Sequence, residues 1–540
     1  MRGVPTVQKA AIRSLWLFVL FICVAACAPN ASLAQSGLKK VNHIIIVMQE
    51  NHSFDNYFGA LPYAPGTPYH SPAGNSGCAL NDHHCVDGLS CQIDATGALH
   101  CFDSNLDDNG SQVFAFHETS RCVAPDLNHS WFQTHQEANY LNPRNTLGQS
   151  FMDGFVRVND STEQLDNGVE TPTEDQTIGF FNQTDIPFYY DLAQKFAMSD
   201  RHFASLLGPT FPNRSYLLAA TSFGHLTTDD TFPPPGSTGY KPITGTIFDL
   251  LDKNNVSWAD YYQDAPQGAS FRTFVTSGPG NNDPHFLTLA TFFAQAAAGS
   301  LPSVSFVDPN FGLTGTATEN DEHPPTDIQR GQAFVSQVIN AVRNSSSWKD
   351  SIIFLTYDEH GGFYDHAEPP RAPQDGALNP DSINPGQCED LSNPPASEQP
   401  GGGAECSSNP ISTTDTSVKD AEQLCPQMAA NPAGPYPANC PNFNQLGVRI
   451  PFVAISPFSK PHYVSHVVGD HASMLALIEN RFLSSGRTTQ HLTLRDEFAN
   501  PLEDMFEFTN APSLNTVLTQ AVPPAIDCTP PKTPIGPALP

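Results

Sequence analysis

The chain is 540 residues long, enough to bury a large core, and 39% of its residues are hydrophobic against 15% charged. Its 55 acidic and 25 basic residues give a formal net charge of −30, a field that opposes contact with any phosphate backbone. Nucleic acid and anionic membrane surfaces are therefore excluded as natural partners.

The first residues read as an export signal. Arg2, Lys9 and Arg13 precede an apolar run from Leu15 to Cys27 that is too short to span a bilayer. Ser32-Leu33-Ala34 fits ordinary cleavage before Gln35, giving a secreted or periplasmic protein. Val24-Ala25-Ala26-Cys27 resembles a lipobox, and the alternative is a lipoprotein anchored through Cys27. No later stretch is apolar and long enough to cross a membrane, so the mature chain is expected to have no transmembrane segment. Loss of Cys23 and Cys27 leaves ten of the 12 cysteines, which in an exported chain implies about five disulfides. Cys78, Cys85, Cys91, Cys101 and Cys122 form one group and Cys388, Cys406, Cys425 and Cys440 another. Cys528 or a bridge between the groups completes the pairing, and the connectivity stays open.

Along the mature chain, Val41–Gln49 is the first buried strand, a β-branched run that ends on Glu50 and Asn51. Residues 62–125, rich in Gly, Asp, Asn and Cys, show no periodicity and read as a disulfide-stapled loop or cap. His129 follows in a breaker-rich loop, PDLNHSW. Pro187–Phe196 has a helical pattern. In Gly208-Pro209-Thr210-Phe211-Pro212-Asn213-Arg214, Pro212 is placed to start a helix, with Thr210 at or just before its N-terminus. Val304–Val307 is a strand, His323 sits in the loop EHPP, and Ile328–Arg343 carries apolar residues at helical spacing. Ser351–Tyr357 is a buried strand ending on Asp358, Glu359 and His360. Residues 367–447 form a second insertion dense in Pro, Gly, Asn and Ser. A strand at 451–455, a helix at 472–482 and a Pro-rich tail at 524–540 complete the chain. Strands alternating with helices predict an α/β domain over 35–523, built on a mainly parallel sheet.

In such a sheet, ligands bind beyond the carboxyl ends of the strands. Glu50, Asn51, Asp358 and Glu359 leave two strands at that edge, an all-oxygen donor set suited to a hard divalent cation. A helix N-terminus at Thr210 stabilises a hydroxyl losing its proton and a phosphate beside it. With no Lys- or Arg-rich pocket in view, His129 and His323 are the candidate donors to phosphoryl oxygens and to a leaving alkoxide.

Taken in order, ENHSFDNYFG, PDLNHSW, MDGF, GPTFPNR, EHPP and TYDEHGGFYDH resemble the bacterial phosphoesterase family, which contains non-specific phospholipases C and acid phosphatases. The resemblance runs from about Val41 to about Phe482. It implies an alkaline-phosphatase-like α/β core, with metal ligands at Glu50, Asn51, Asp358 and Glu359 and a nucleophile at Thr210. It further implies catalytic roles for His129 and His323 and substrate-binding roles for Asn213, His285 and His360. The metal's identity stays open among Mg, Ca, Mn and Zn. A threonine nucleophile resembles the phospholipase branch, so the expected substrate is a phosphodiester, a zwitterionic phospholipid above all. Phosphate monoesters, as for an acid phosphatase, are the alternative, and a non-catalytic exported metal-binding protein is the reading from another class.

Overall fold

In a computed structural model, residues 37–529 are described apart from 75–76, 124–125, 143–146, 160–175, 226–227, 229–238, 276–281, 314–317, 375–379, 382–442 and 487. The signal segment, Cys388, Cys406, Cys425, Cys440 and the end of the tail lie outside the described residues.

The core is an eight-stranded sheet. Its strands are β1 (His43–Gln49), β2 (Ala197–Ser199), β3 (Trp258–Tyr262), β4 (Phe286–Thr288), β5 (Val304–Val307), β6 (Ser351–Tyr357), β7 (Phe452–Ile455) and β8 (Tyr463–Ser465). They lie in the order β4-β3-β5-β1-β6-β7-β2-β8. All pairings are parallel except the two made by β7. The expected mainly parallel α/β fold is therefore observed.

Period-2 alternation in β1 explains why helices cover both faces. Ile45 and Val47 pack with residues of the helices Pro187–Lys195, Leu289–Ala298 and Ile328–Arg343. Ile44, Ile46 and Met48 point the other way, to the helices Thr210–Ala219, Ile247–Lys253 and His471–Phe482. With both faces buried, the strand reads as a continuous apolar run, as parallel strands in sandwiched sheets do.

The first insertion folds as short hairpins over a satellite core. Cys91–Ile93 pairs with Leu99–Cys101, and Ser104–Leu106 with Gln112–Phe114. Three disulfides join described residues: Cys78–Cys85, Cys91–Cys101 and Cys122–Cys528. The third ties the insertion to the C-terminal segment, so Cys528 does complete the first group. Among the described residues, no helix is long and apolar enough to cross a membrane.

Candidate active site

The central strands bring the candidate ligands together by register. β1 and β6 pair along their whole length, with Gln49 opposite Tyr357, so Glu50 and Asp358 leave the sheet side by side. The Asp358 amide donates to Gln49 O at 3.1 Å, carrying the ladder one step further. Asn51 then turns back in the left-handed region, at φ 62°, and its amide donates to Asp358 Oδ1 at 3.1 Å. Beyond Asp358 the chain must pass close to that turn. At Gly361, with φ 62°, a β-carbon would lie 2.4 Å from Asn51 O. At Gly362, with φ 76°, it would lie 2.6 Å from Leu127 Cβ in the loop that carries His129. Both positions need glycine for conformation and for space. Gly361→Ala is expected to cost about 1–3 kcal/mol of stability and to lower metal affinity, measured by denaturant unfolding and metal titration; an unchanged midpoint would show the loop to be slack.

These residues are buried, and several of their donor atoms are unused. Asn51 Oδ1, Asp358 Oδ2 and Glu359 Oε1 have no hydrogen-bond partner among the described residues. Burial, with the neighbouring Glu50 carboxylate, pushes Asp358 up to about 8. Burial also raises Asp321, again with Glu50 beside it. Clustered carboxylates with orphaned oxygens call for added positive charge, and this oxygen-rich set fits a divalent metal ion.

Arg214 supplies part of that charge. It is buried, its Nη2 donates to Glu50 Oε1 at 3.0 Å, and its Nε lies 3.7 Å from Asp358 Oδ2. Its Nε and Nη1 have no hydrogen-bond partner among the described residues. The sequence reading missed it. The available signal was its place four residues after Thr210, on the same face of one helix.

Thr210 begins the helix Thr210–Ala219, earlier than Pro212 had suggested. Pro209 precedes it in extended conformation and gives no side-chain cap, but the Phe211 amide donates to Thr228 Oγ1 at 3.3 Å and the Asn213 amide to Pro209 O at 3.4 Å, so what this end offers a ligand is chiefly the positive end of its dipole. Asn213 serves that turn. Its Oδ1 accepts from Leu206 N at 3.0 Å, and its Nδ2 donates to Gly208 O and Pro209 O at 2.8 and 3.1 Å. Those bonds occupy the amide, which braces the Thr210 loop where a substrate contact was expected.

Glu50, Thr210, Arg214, Asp321 and His323 line one cavity of about 240 Å³, with Phe211 and Phe311 on its apolar wall. His323 Nδ1 bonds Pro324 O at 2.7 Å, which leaves Nε2 as the outward nitrogen, 3.8 Å from Asp126 Oδ2. Burial opposes its protonation, but Asp126, Glu50 and Asp321 together lift His323 to about 10. His129 is held in the same way, Nδ1 to Leu127 O at 2.6 Å, and its Nε2 lies 4.0 Å from Glu359 Oε1. The two rings are 6.2 Å apart, and Asp126, His129 and His323 bring potential ligand atoms within 4.8 Å of one another.

His360 is buried behind Glu359. Its Nδ1 lies 3.2 Å from Glu359 Oε2 and its Nε2 2.8 Å from Glu137 Oε2, a carboxylate–imidazole–carboxylate chain that orients Glu359. The expected substrate contact is thus a support. His285 stands apart. It precedes β4, at the amino edge of the sheet, stacked 4.0 Å from Trp258 with Nδ1 2.8 Å from Asp283 Oδ1. The structure does not bring it to the edge where Glu50 and Asp358 leave the sheet, because parallel strands put their amino and carboxyl ends on opposite sides.

The model of the phosphoesterase family matches residues 41–483. The chain belongs to the phosphoesterase family. It is 26% identical over 486 residues to non-specific phospholipase C3 of Arabidopsis thaliana, covering 88% of this chain and 75% of the relative. It is 27% identical over 533 residues to phospholipase C B of Mycobacterium tuberculosis, covering 93% of this chain and 85% of the relative. A solved protein of the alkaline phosphatase superfamily from Vibrio parahaemolyticus aligns over 58% of this chain and 64% of its own at 11% identity, with a TM-score of 0.28. This phosphoesterase is accordingly a hydrolase acting on phosphoric ester bonds.

Proposed function

We propose that this phosphoesterase is an exported phospholipase C that hydrolyses zwitterionic phospholipids through a phosphothreonine at Thr210. The observation that carries the reading is one cavity holding Thr210 at a helix N-terminus together with Glu50, Arg214 and His323. The names of the relatives support the phospholipid class, and the net charge of −30 favours zwitterionic over anionic lipid. Three disulfides support export.

Glu50, Asn51, Asp358 and Glu359 would hold the divalent metal, which when bound stabilises negative charge and lowers the pKa of a coordinated hydroxyl. The Thr210 hydroxyl loses its proton to solvent and its oxygen attacks phosphorus, forming a Thr Oγ–P bond as the bond to the glycerol oxygen breaks. Arg214 and the positive end of the helix dipole neutralise the non-bridging oxygens. His323 keeps its Nδ1–H on Pro324 O, so as an imidazolium it carries the transferable proton at Nε2 and gives it to the departing alkoxide. Water then attacks phosphorus, its proton passes to His323, and the Thr Oγ–P bond breaks to release the phosphorylated head group.

The purified protein is expected to cleave p-nitrophenylphosphorylcholine, and chelation to reduce the rate more than about 10²-fold. Restriction to p-nitrophenyl phosphate would move it to monoesters, and no cleavage of either would remove the substrate class.

A further inference from the structure

Glu322 has no part in the chemistry above, yet it is the most heavily bonded carboxylate around the cavity. It is fully buried and sits between Asp321 and His323 with its backbone in the left-handed region, at φ 77°. A non-glycine residue holds that conformation only where its surroundings enforce it. Here Tyr57 Oη donates to Glu322 Oε2 at 2.6 Å and Tyr357 Oη to the same oxygen at 2.7 Å. Tyr189 Oη donates to Oε1, joined by Gln49 Nε2 at 3.2 Å. The carboxylate enters through a gap in the helix Ile328–Arg343, where a β-carbon on Gly331 would lie 2.1 Å from Glu322 Cγ.

The donors are placed to transmit register. Gln49 adjoins Glu50 and Tyr357 adjoins Asp358, the ends of the two central strands. Gln49 Nε2 also donates to Asn320 O at 3.0 Å, and the Glu50 amide donates to Asp321 O at 2.8 Å. One side chain thus ties both ligand-bearing strand ends to the loop that presents His323. We propose that Glu322 is a positioning residue, one whose tyrosine-clamped carboxylate sets the His323 ring in register with Glu50 and Asp358 for proton delivery to the leaving group. The proposal rests on the reading of His323 as that donor.

The test exploits leaving-group basicity. An alkoxide needs a proton as it departs, whereas p-nitrophenolate leaves without one. Glu322→Gln keeps the side chain's size but offers one acceptor oxygen and two N–H groups to a ring of donors. With metal saturating, kcat on a phosphorylcholine ester of an alkyl alcohol is expected to fall about 10²-fold, and on the p-nitrophenyl ester less than about 10-fold, with KM little changed. Tyr57→Phe removes a single donor and keeps the charge, so it serves if the first variant misfolds; its expected loss is smaller and equally biased toward the alkyl ester. Equal losses on both esters, or none, would overturn the proposal. His323→Ala separates the two levels. If it shows the same bias while the Glu322 and Tyr57 variants do not, the positioning role alone falls. If it shows no bias, the reading of His323 falls and the proposal with it.

Discussion

Thr210→Ala is expected to lower turnover by about 10⁴-fold or more while the protein keeps its fold and its metal affinity. The chemistry requires an oxygen that bonds to phosphorus, and alanine has none. A residual rate survives because Arg214, the helix dipole and the histidines still bind and polarise the phosphoryl group, as sites stripped of a nucleophile usually do. Stability is expected to hold because Thr210 is the first residue of its helix and alanine is a good helix former there. Its turn is braced by the Asn213 amide rather than by its own side chain. Thr210→Ser keeps the oxygen and should retain most of the activity. Single-turnover kinetics with acid quench and mass analysis of the trapped protein check the intermediate. Turnover by Thr210→Ala within about tenfold of the parent would place the nucleophile elsewhere.

The parts of this site that were legible in the sequence are those fixed by backbone periodicity. Val41–Gln49 and Ser351–Tyr357 are apolar on both faces and stop abruptly on carboxylates, so strand, edge and candidate ligands could be read together. The short strands Ala197–Ser199, Phe286–Thr288 and Tyr463–Ser465 passed unnoticed, since three residues carry no period and their pairing is decided by the sheet around them. Side-chain direction was the larger blind spot. Asn213 and His360 both lie in motifs at the site, yet one points into its own loop and the other behind Glu359. His285 looked like Asn213 and His360 in sequence, a polar residue among breakers, but it precedes a strand where the ligands follow theirs. Arg214 was hidden for the opposite reason: a lone arginine in a helix reads as surface until its helix is buried on the sheet. Glu322 opens the EHPP motif without a sign of its own role, because a clamp of three tyrosines is assembled from segments far apart in the chain.

The metal-free phosphoesterase is expected to lose stability as pH rises from about 4 to about 8, and Asp358→Asn to remove the part of that loss due to Asp358, the raised Asp321 contributing in the same direction. The unfolded aspartate titrates near 3.8, whereas burial and the Glu50 carboxylate raise the native group to about 8. Between these values the native state keeps a proton that the unfolded state has released, so stability falls with rising pH across the window and levels off on either side. Glu359 does not offset this there. Burial opposes its ionisation, but His129 and His360 hold it below its ordinary value of 4.5, so its contribution is lost only at more acid pH. As pH approaches 8 the cluster ionises and its mutual repulsion grows, relieved in part by Arg214. Asparagine keeps an Oδ1 to accept the Asn51 and Glu359 amides that now bond Asp358 Oδ1, while deleting one charge. The metal-free variant should therefore be more stable than its parent at pH 8 by up to about 5 kcal/mol, and close to it near pH 4. Added divalent metal should reverse the order, because it binds ionised carboxylates and so stabilises the parent more as pH rises. Activity should be lost in the variant at every pH. Denaturant unfolding at four or five pH values, with chelator and then with metal, reads all of this. A variant less stable than the parent in chelator at pH 8 would mean that Asp358 is held by contacts strong enough without a cation, and the case for a metal at this edge would fail with it.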